Sequence, residues 1–334
     1  MRLGREQAAS LLDLVRGHKV AVLGDLMLDE YLFGEVSRIS PEAPVPILRV
    51  ERELAVLGGA ANVAANLKAI GAEPLLVGTL QQDAAGARLT ALLAAQDIGP
   101  DWLVLDPTRP TIIKTRVIGQ RQQMIRIDRE DLGECPPAAR DGLCASLAKV
   151  LEQASALIIS DYAKGAVSQG VMDQVRELCR TRGIPWIVDP KPSQMALYRG
   201  ATFMTPNTKE LMELSGLPAK GDADLALAGR SLMAALDLQG LLVTRSEKGM
   251  ALFAPEEGHQ EPWLIPTEAR EVYDVSGAGD TVIAVFSAAV SAGANCQAAA
   301  MLANAAAGIV VGKMGTATTT PGEMLRHYQD QEAR

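Results

Sequence analysis

The chain has 334 residues, 48% of them hydrophobic and 22% charged, enough for one large α/β domain or two small ones. Its net charge of −8 argues against nucleic acid as a partner, since binding that polyanion takes basic surface to displace condensed counterions. Four cysteines without close metal-ligand spacing and three scattered histidines give no recognisable zinc site, and the thiols read as reduced, as in a cytoplasmic protein.

The first apolar residues are broken by Asp13 and Arg16 ahead of His18, unlike a signal peptide. The longest apolar stretch, near 298–311, carries Asn304 and is too short for a bilayer, so no membrane association is expected. Residues 19–23 form a short apolar run that predicts a buried strand ending at Gly24-Asp25. Residues 31–53 are rich in β-branched residues, and Pro41, Pro44 and Pro46 exclude a long helix there. A helix is predicted from Gly59 to near Gly71, a strand at 74–78, a helix at 83–95 and a strand at 102–105. Residues 111–128 alternate like a β-ribbon around Gly119-Gln120.

A regular alternation then resumes: helix 138–152, strand 156–160, helix 168–182, strand 185–189, a short strand near Thr202, and helices beginning at Asn207 and Asp222. Strand 241–244 precedes a hairpin centred on Gly249, and helices at 278–292 and 295–311 follow. Aromatics are only 4%, so packing must rely on Ala, Leu, Val and Ile, which suits helices laid on a parallel sheet. The expected architecture is α/β and Rossmann-like, a mainly parallel sheet flanked by helices, in one domain over 1–334. A small β-sheet lid is inserted as residues 31–53 and 111–128.

Two glycine clusters carry the chemistry. In Asp274-Val275-Ser276-Gly277-Ala278-Gly279-Asp280, followed at once by an apolar helical run, Gly277 and Gly279 let the backbone turn tightly and aim amides at one point. Such a helix start cradles phosphate. Asp280 in its first turn reads as a carboxylate kept anionic by the helix dipole, a weak base suited to orienting a hydroxyl for phosphoryl transfer. The second cluster, Gly58-Gly59-Ala60-Ala61-Asn62-Val63-Ala64, opens a helix.

These clusters match the GG-x-x-N-x-A and D-T-x-G-A-G-D signatures of the PfkB family of ribokinase-like carbohydrate kinases, and the chain resembles that family from about Lys19 to about Gly322. Val275 stands where the family usually has Thr. The segments Gly24-Asp25-Leu26-Met27-Leu28-Asp29, residues 37–46 (SRISPEAPVP) and Asp161-Tyr162-Ala163-Lys164-Gly165 are similar to the heptose 7-phosphate kinase branch. The resemblance implies ATP-dependent phosphorylation of the anomeric hydroxyl of D-glycero-β-D-manno-heptose 7-phosphate, in ADP-heptose synthesis for lipopolysaccharide. It also implies the lid.

Residue by residue, the resemblance makes Asp280 the catalytic base, with Gly277, Ala278 and Gly279 supplying the anion cradle. It places Asp25, Asp29, Gly58, Gly59 and Asn62 on the sugar. Read alone, Asp25 caps a turn and Asp29 is solvated. Lys164, Arg116 and Arg126 are the candidate cations for the sugar phosphate, in a basic cluster that also includes Lys114 and Arg121.

Asn207 and Glu210 have the family's N-x-x-E spacing, which implies Mg²⁺ held through water near the phosphates; the same spacing is equally a helix capping box. Thr244, Ser246 and Gly249 fall in the family's nucleotide loop, with Ser246 replacing a glycine common in relatives. Asn304 either faces the adenine or is a satisfied buried amide. Asp274 with residues 313–318 corresponds to a loop pair that binds a monovalent cation in several relatives.

No H-x-G-H motif occurs, so a separate nucleotidyltransferase is expected downstream. No G-x-G-x-x-G follows the first strand, which argues against a dehydrogenase, and a sugar-sensing regulator would not need Asp280. The apolar residues Ile112, Ile113, Val117, Ile118, Ile125 and Ile127 of the lid predict a homodimer joined lid to lid. The remaining alternative is another sugar phosphate or a nucleoside as acceptor.

Overall fold

The computed structural model describes residues 3–120, 122–254, 261–269 and 272–332. After α1 (Arg5–Val15), β1 (Lys19–Gly24) enters the centre of the protein, where its apolar side chains are covered on both faces. The chain then leaves the core as the long antiparallel pair β2 (Leu26–Ile39) and β3 (Pro46–Gly59), and returns through α2 (Ala60–Ala69). The elements β4 (Glu73–Leu80), α3 (Ala84–Ala94) and β5 (Leu103–Leu105) continue the core. A second excursion, β6 (Ile112–Gly119) and β7 (Gln122–Arg129), rejoins the first.

From there α4 (Pro137–Val150), β8 (Ala156–Ser160), α5 (Gln169–Arg182), β9 (Trp186–Asp189), β10 (Phe203–Met204), α6 (Thr208–Ser215), α7 (Asp222–Leu236) and β11 (Gly240–Thr244) alternate as the spacing predicts. The chain closes with β12 (Met250–Phe253), β13 (Trp263–Ile265), α8 (Ala278–Ser291), α9 (Cys296–Val310) and α10 (Pro321–Glu332). Helices α1 and α10 and strand β13 lie outside the elements that the spacing predicts.

A nine-stranded sheet runs β13-β12-β11-β10-β9-β8-β1-β4-β5, and a separate four-stranded sheet runs β3-β2-β6-β7. Pairing in the large sheet is parallel from β5 to β11; β12 and β13 add an antiparallel edge. One apolar layer packs α1, α2, α3, α8, α9 and α10 on one face, and a second packs α4, α5, α6 and α7 on the other. The successive parallel neighbours β9, β8 and β1 bring Asp189, Ser160 and Gly24 to one carboxyl edge. Ligands gather at such an edge in open α/β sheets.

The small sheet is longer than the predicted lid, because β2 and β3 run on into the core at Leu26 and Gly59. Irregularities at Phe33/Gly34, Val36/Arg38 and Val117/Ile118 bend it. Its apolar residues do not all serve one surface. Ile113, Val117, Ile125 and Ile127 share one face by register, but Ile113 is buried at its inner end with Leu28 and Ala85, whereas Ile125 and Ile127 are 55% and 53% exposed; Ile112 is buried on the opposite face. Only Ile125 and Ile127 are available to a partner. Among the described residues, no helix is long and apolar enough to cross a membrane.

Candidate active site

Helix α8 is mostly apolar and every residue from Asp280 to Ala289 is buried, so packing holds the helix while its first residues, Ala278 and Gly279, reach the surface. Gly277, at φ +76°, caps it, and a Cβ there would lie 2.7 Å from the Asn62 side-chain nitrogen. That clearance matters, because Asn62 Nδ2 donates to Asp280 Oδ2 at 2.7 Å. One turn along α2, Asn66 accepts from Thr281 Oγ1 at 2.8 Å through its Oδ1. The two helices are thereby locked in the register that sets Asn62 against Asp280.

The other carboxylate oxygen of Asp280 accepts from the Tyr162 hydroxyl at 2.9 Å. Burial pushes the Asp280 carboxyl up to about 6, while the bonds from Asn62 and Tyr162 pull it down. This corrects the expectation of a weak base set by the helix dipole: desolvation wins, and Asp280 is a stronger base that is still mostly ionised at neutral pH. The neighbouring Ala278 amide is partly used by the Val275 carbonyl at 3.3 Å. Beside Gly279 a Cβ would meet nothing within 4 Å, so this side of the helix start opens to a ligand.

Asp25 and Asp29 do not act as a pair. Asp25 is buried, and its carboxylate accepts from the backbone amides of Tyr162 at 2.9 Å, Lys164 at 3.0 Å and Ala166 at 3.0 Å. Alternate amides of the loop after β8 thus converge on one anion, with Ala163 and Gly165 at positive φ to turn them inward. Burial raises the Asp25 carboxyl and the three amides oppose that rise. Its place in this structure is to anchor a loop, close to the turn-capping alternative. Beside it Asp161 accepts from Tyr198 Oη at 2.6 Å, and burial and the Asp25 charge push it up to about 6.

Asp29 points from β2 toward the cleft, beside β3, where a Cβ on Gly58 would fall 2.5 Å from its Oδ2. Arg116 Nη1 of β6 meets Asp29 Oδ1 at 2.5 Å. Lys164 and Lys114 both hold Glu130, at 2.7 Å and 3.0 Å, and Arg126, half exposed, pairs with Asp128 at 2.8 Å. The candidate cations therefore face the cleft from the lid and from the Asp25 loop, each with a carboxylate partner. Arg121 lies outside the described residues.

On the nucleotide side, Asn207 and Glu210 form a complete capping box: Asn207 Oδ1 accepts from the Glu210 amide at 2.9 Å and Glu210 Oε2 from the Asn207 amide at 2.8 Å. Asn207 also bridges to Thr244 at the end of β11. Ser246 has φ +51°, the left-handed region, which accounts for glycine at that position in relatives. Gly249 turns β11 into β12. A cavity of about 340 Å³ beside this turn is lined by Asp222, Arg245, Lys248, Leu264, Ile265 and Pro266. Asn304 is buried and donates to the Pro266 carbonyl at 2.8 Å, so it is a satisfied amide behind the cavity wall. Asp274 accepts from the Gly315 amide at 2.9 Å, joining the two loops that the motif paired.

Sequence reasoning named the segment containing Tyr162 but gave the residue no role, since an aromatic after a strand looks like packing. Nor did it single out Glu130.

An αβα core whose buried helix start presents a hydrogen-bonded carboxylate, covered by a small β-sheet, defines a sugar-kinase type of site. The sequence matches the pfkB family carbohydrate kinases over residues 18–322, and the chain belongs to that family. It is 44% identical over 313 residues to the bifunctional protein HldE of Desulfatibacillum aliphaticivorans, an alignment covering 94% of this chain and 63% of that one. The chain thus spans less than two thirds of that relative's length. The structure is similar to the ribokinase of Arabidopsis thaliana complexed with ribose and ATP, with TM-score 0.74 and 20% identity over 94% of this chain and 99% of the other. It is also similar to phosphofructokinase-2 from Escherichia coli in complex with potassium, with TM-score 0.76 and 18% identity over 95% and 99% of the two chains. The fold is the ribokinase fold.

Proposed function

We propose that this chain transfers the γ-phosphoryl group of ATP to the anomeric hydroxyl of D-glycero-β-D-manno-heptose 7-phosphate, giving the 1,7-bisphosphate. The observation that carries the reading is the Asp280 carboxylate, buried at the start of α8, hydrogen-bonded on both oxygens and set beside the open face at Gly279. Each oxygen keeps a lone pair, so Asp280 can take the proton of the C1 hydroxyl as that oxygen attacks the γ-phosphorus and the bond to the β-phosphate breaks. First-turn amides of Gly279 and Asp280, which an α-helix leaves without carbonyl partners, face the charge that develops.

The sugar is held by Asp29, with Asn62 and the backbone at Gly58 and Gly59. Its 7-phosphate draws on Arg116, Arg126 and Lys164, which exchange carboxylate partners for phosphate. The choice of heptose rests on the segments 24–29, 37–46 and 161–165, since many sugars would suit the same base.

Glu210 suits a hydrated Mg²⁺ as well as its cap: it is an oxygen donor held in place through Oε2 by the Asn207 amide, and burial raises this carboxyl. Asn207 and Glu210 would hold the ion through water, and when bound it neutralises phosphate charge. Asp274 and residues 313–318 would hold a monovalent cation, a reading supported by the bond from the Gly315 amide to Asp274 that joins the two loops. A homodimer through the outer faces of the lids, using Ile125 and Ile127, completes the reading.

Mass spectrometry of the product from ATP and heptose 7-phosphate, beside a panel of other sugar phosphates and nucleosides, tests the proposal. Phosphate at C1 of the heptose is the expected result. Faster turnover of another acceptor would reassign the substrate.

A further inference from the structure

Asp280 is faced by Asn62 from α2, Tyr162 from the loop after β8, Asp29 from β2 and Asp189 from the end of β9. Asn62 can only orient the carboxylate through its fixed amide, Asp29 repels it, and Asp189 is itself pushed well up by burial and the Asp280 charge. Among the described residues, Tyr162 is the group whose O–H is bonded to Asp280. Burial and the nearby Asp280 and Asp189 charges raise its own ionisation well above the usual phenol range, so it stays a donor at any working pH.

Its position is built from below. The amide of Tyr162 itself is bonded to Asp25, as are the amides of Lys164 and Ala166, so the loop cannot slide along the sheet edge without orphaning a buried carboxylate. Arg109 holds the far side of the loop through the Lys164 carbonyl. A residue at the tip of so constrained a loop is placed for a purpose other than filling space, and its ring is not part of either apolar layer.

We propose that Tyr162 is a positioning residue for phosphoryl transfer: its hydroxyl fixes the second oxygen of Asp280, so that the remaining lone pair faces the acceptor hydroxyl. The bond favours the ionised carboxylate. Removing it should therefore raise the proton affinity of Asp280, which burial has already raised. One hydrogen bond of this kind corresponds to roughly a few-fold to tenfold in proton affinity.

The inference rests on the kinase reading for its kinetic arm alone. In the ligand-free protein, ¹³C-carboxyl NMR of labelled aspartate follows Asp280 directly, with Asp280→Asn assigning its resonance. The expected result is a titration midpoint that moves upward in Tyr162→Phe; an unmoved or lowered midpoint overturns the proposal whatever the enzyme's substrate. With the phosphorylated sugar, Tyr162→Phe should lower kcat a few-fold to tenfold, leave both KM values near the parent's, and shift the acidic limb of the pH profile upward. The loss should vanish in an Asp280→Asn background, because Tyr162 acts through that carboxylate. A raised sugar KM with an unmoved midpoint would make Tyr162 a substrate contact and overturn the inference. Failure of the parent to phosphorylate the heptose would remove the proposed function and leave the titration result standing.

Discussion

The corner around Asp280 and the lid solve the problem of holding polar groups in opposite ways. At the corner, a single buried carboxylate is met by neutral donors, Asn62 and Tyr162, which come from elements locked by packing and by Asp25. On the lid, Arg116, Lys114 and Arg126 are met by Asp29, Glu130 and Asp128, charge against charge, on a sheet whose last strand is exposed along its whole length. Neutral donors leave Asp280 a base with its remaining lone pairs aimed. Ion pairs leave the lid cations neutralised until an anion of higher charge, such as a phosphate dianion, competes for them. On the proposed function, the corner would be preorganised for chemistry and the lid organised for exchange.

The sharpest break in this comparison is Asp280→Asn. It should lower turnover by about 10² or more while ATP and sugar still bind, because shape is kept and the proton acceptor is lost. Stopped-flow or coupled assays of ADP release measure it, and near-parental turnover would remove Asp280 from the mechanism. In the unaltered protein, kcat/KM should fall as pH drops through about 6, since Asp280 must be ionised to accept a proton and is protonated below that value. A pH profile flat from 7 to 5 would contradict the assignment.

Arg116→Gln tests the lid. It leaves Asp29 buried without its charged partner and removes a proposed phosphate ligand, so the sugar-phosphate KM should rise about tenfold or more with a smaller change in kcat. An effect on kcat alone would place Arg116 with the corner instead.

Asn207→Ala and Glu210→Gln separate two roles of one pair. Loss of the capping box costs about 1 kcal/mol of stability. If the pair also holds a hydrated metal, the Mg²⁺ concentration for half-maximal rate should rise a few-fold while sugar affinity stays the same. Thermal destabilisation with unaltered magnesium dependence would leave the cap as its only role.

The smallest effect on turnover is expected from Ile127→Glu. Ile127 is exposed, so the fold should survive, but a charge on each lid should yield a monomer by light scattering at micromolar concentration. Ile113 is unsuited to this test, because it lies at the covered end of the same face, against Leu28 and Ala85, where a charge would disturb the protomer itself.

Periodicity and glycine spacing were enough to read the alternating strands and helices, the two excursions that form the small sheet, and the glycine turn into the helix that carries Asp280. Those features are local: a buried parallel strand must be continuously apolar, and a tight anion-binding turn must have glycine. Tertiary structure alone decided that the Asp25 carboxylate is claimed by three amides while Asp29 pairs with Arg116, since the amides that claim Asp25 come from the loop 162–166, which follows a different strand of the sheet. It also decided that burial, not the helix dipole, dominates the basicity of Asp280, and that Tyr162 reaches it across 118 residues of sequence. Hydrogen bonds and desolvation depend on which loops the sheet order brings to one edge, and no periodicity within a segment records its distant neighbours.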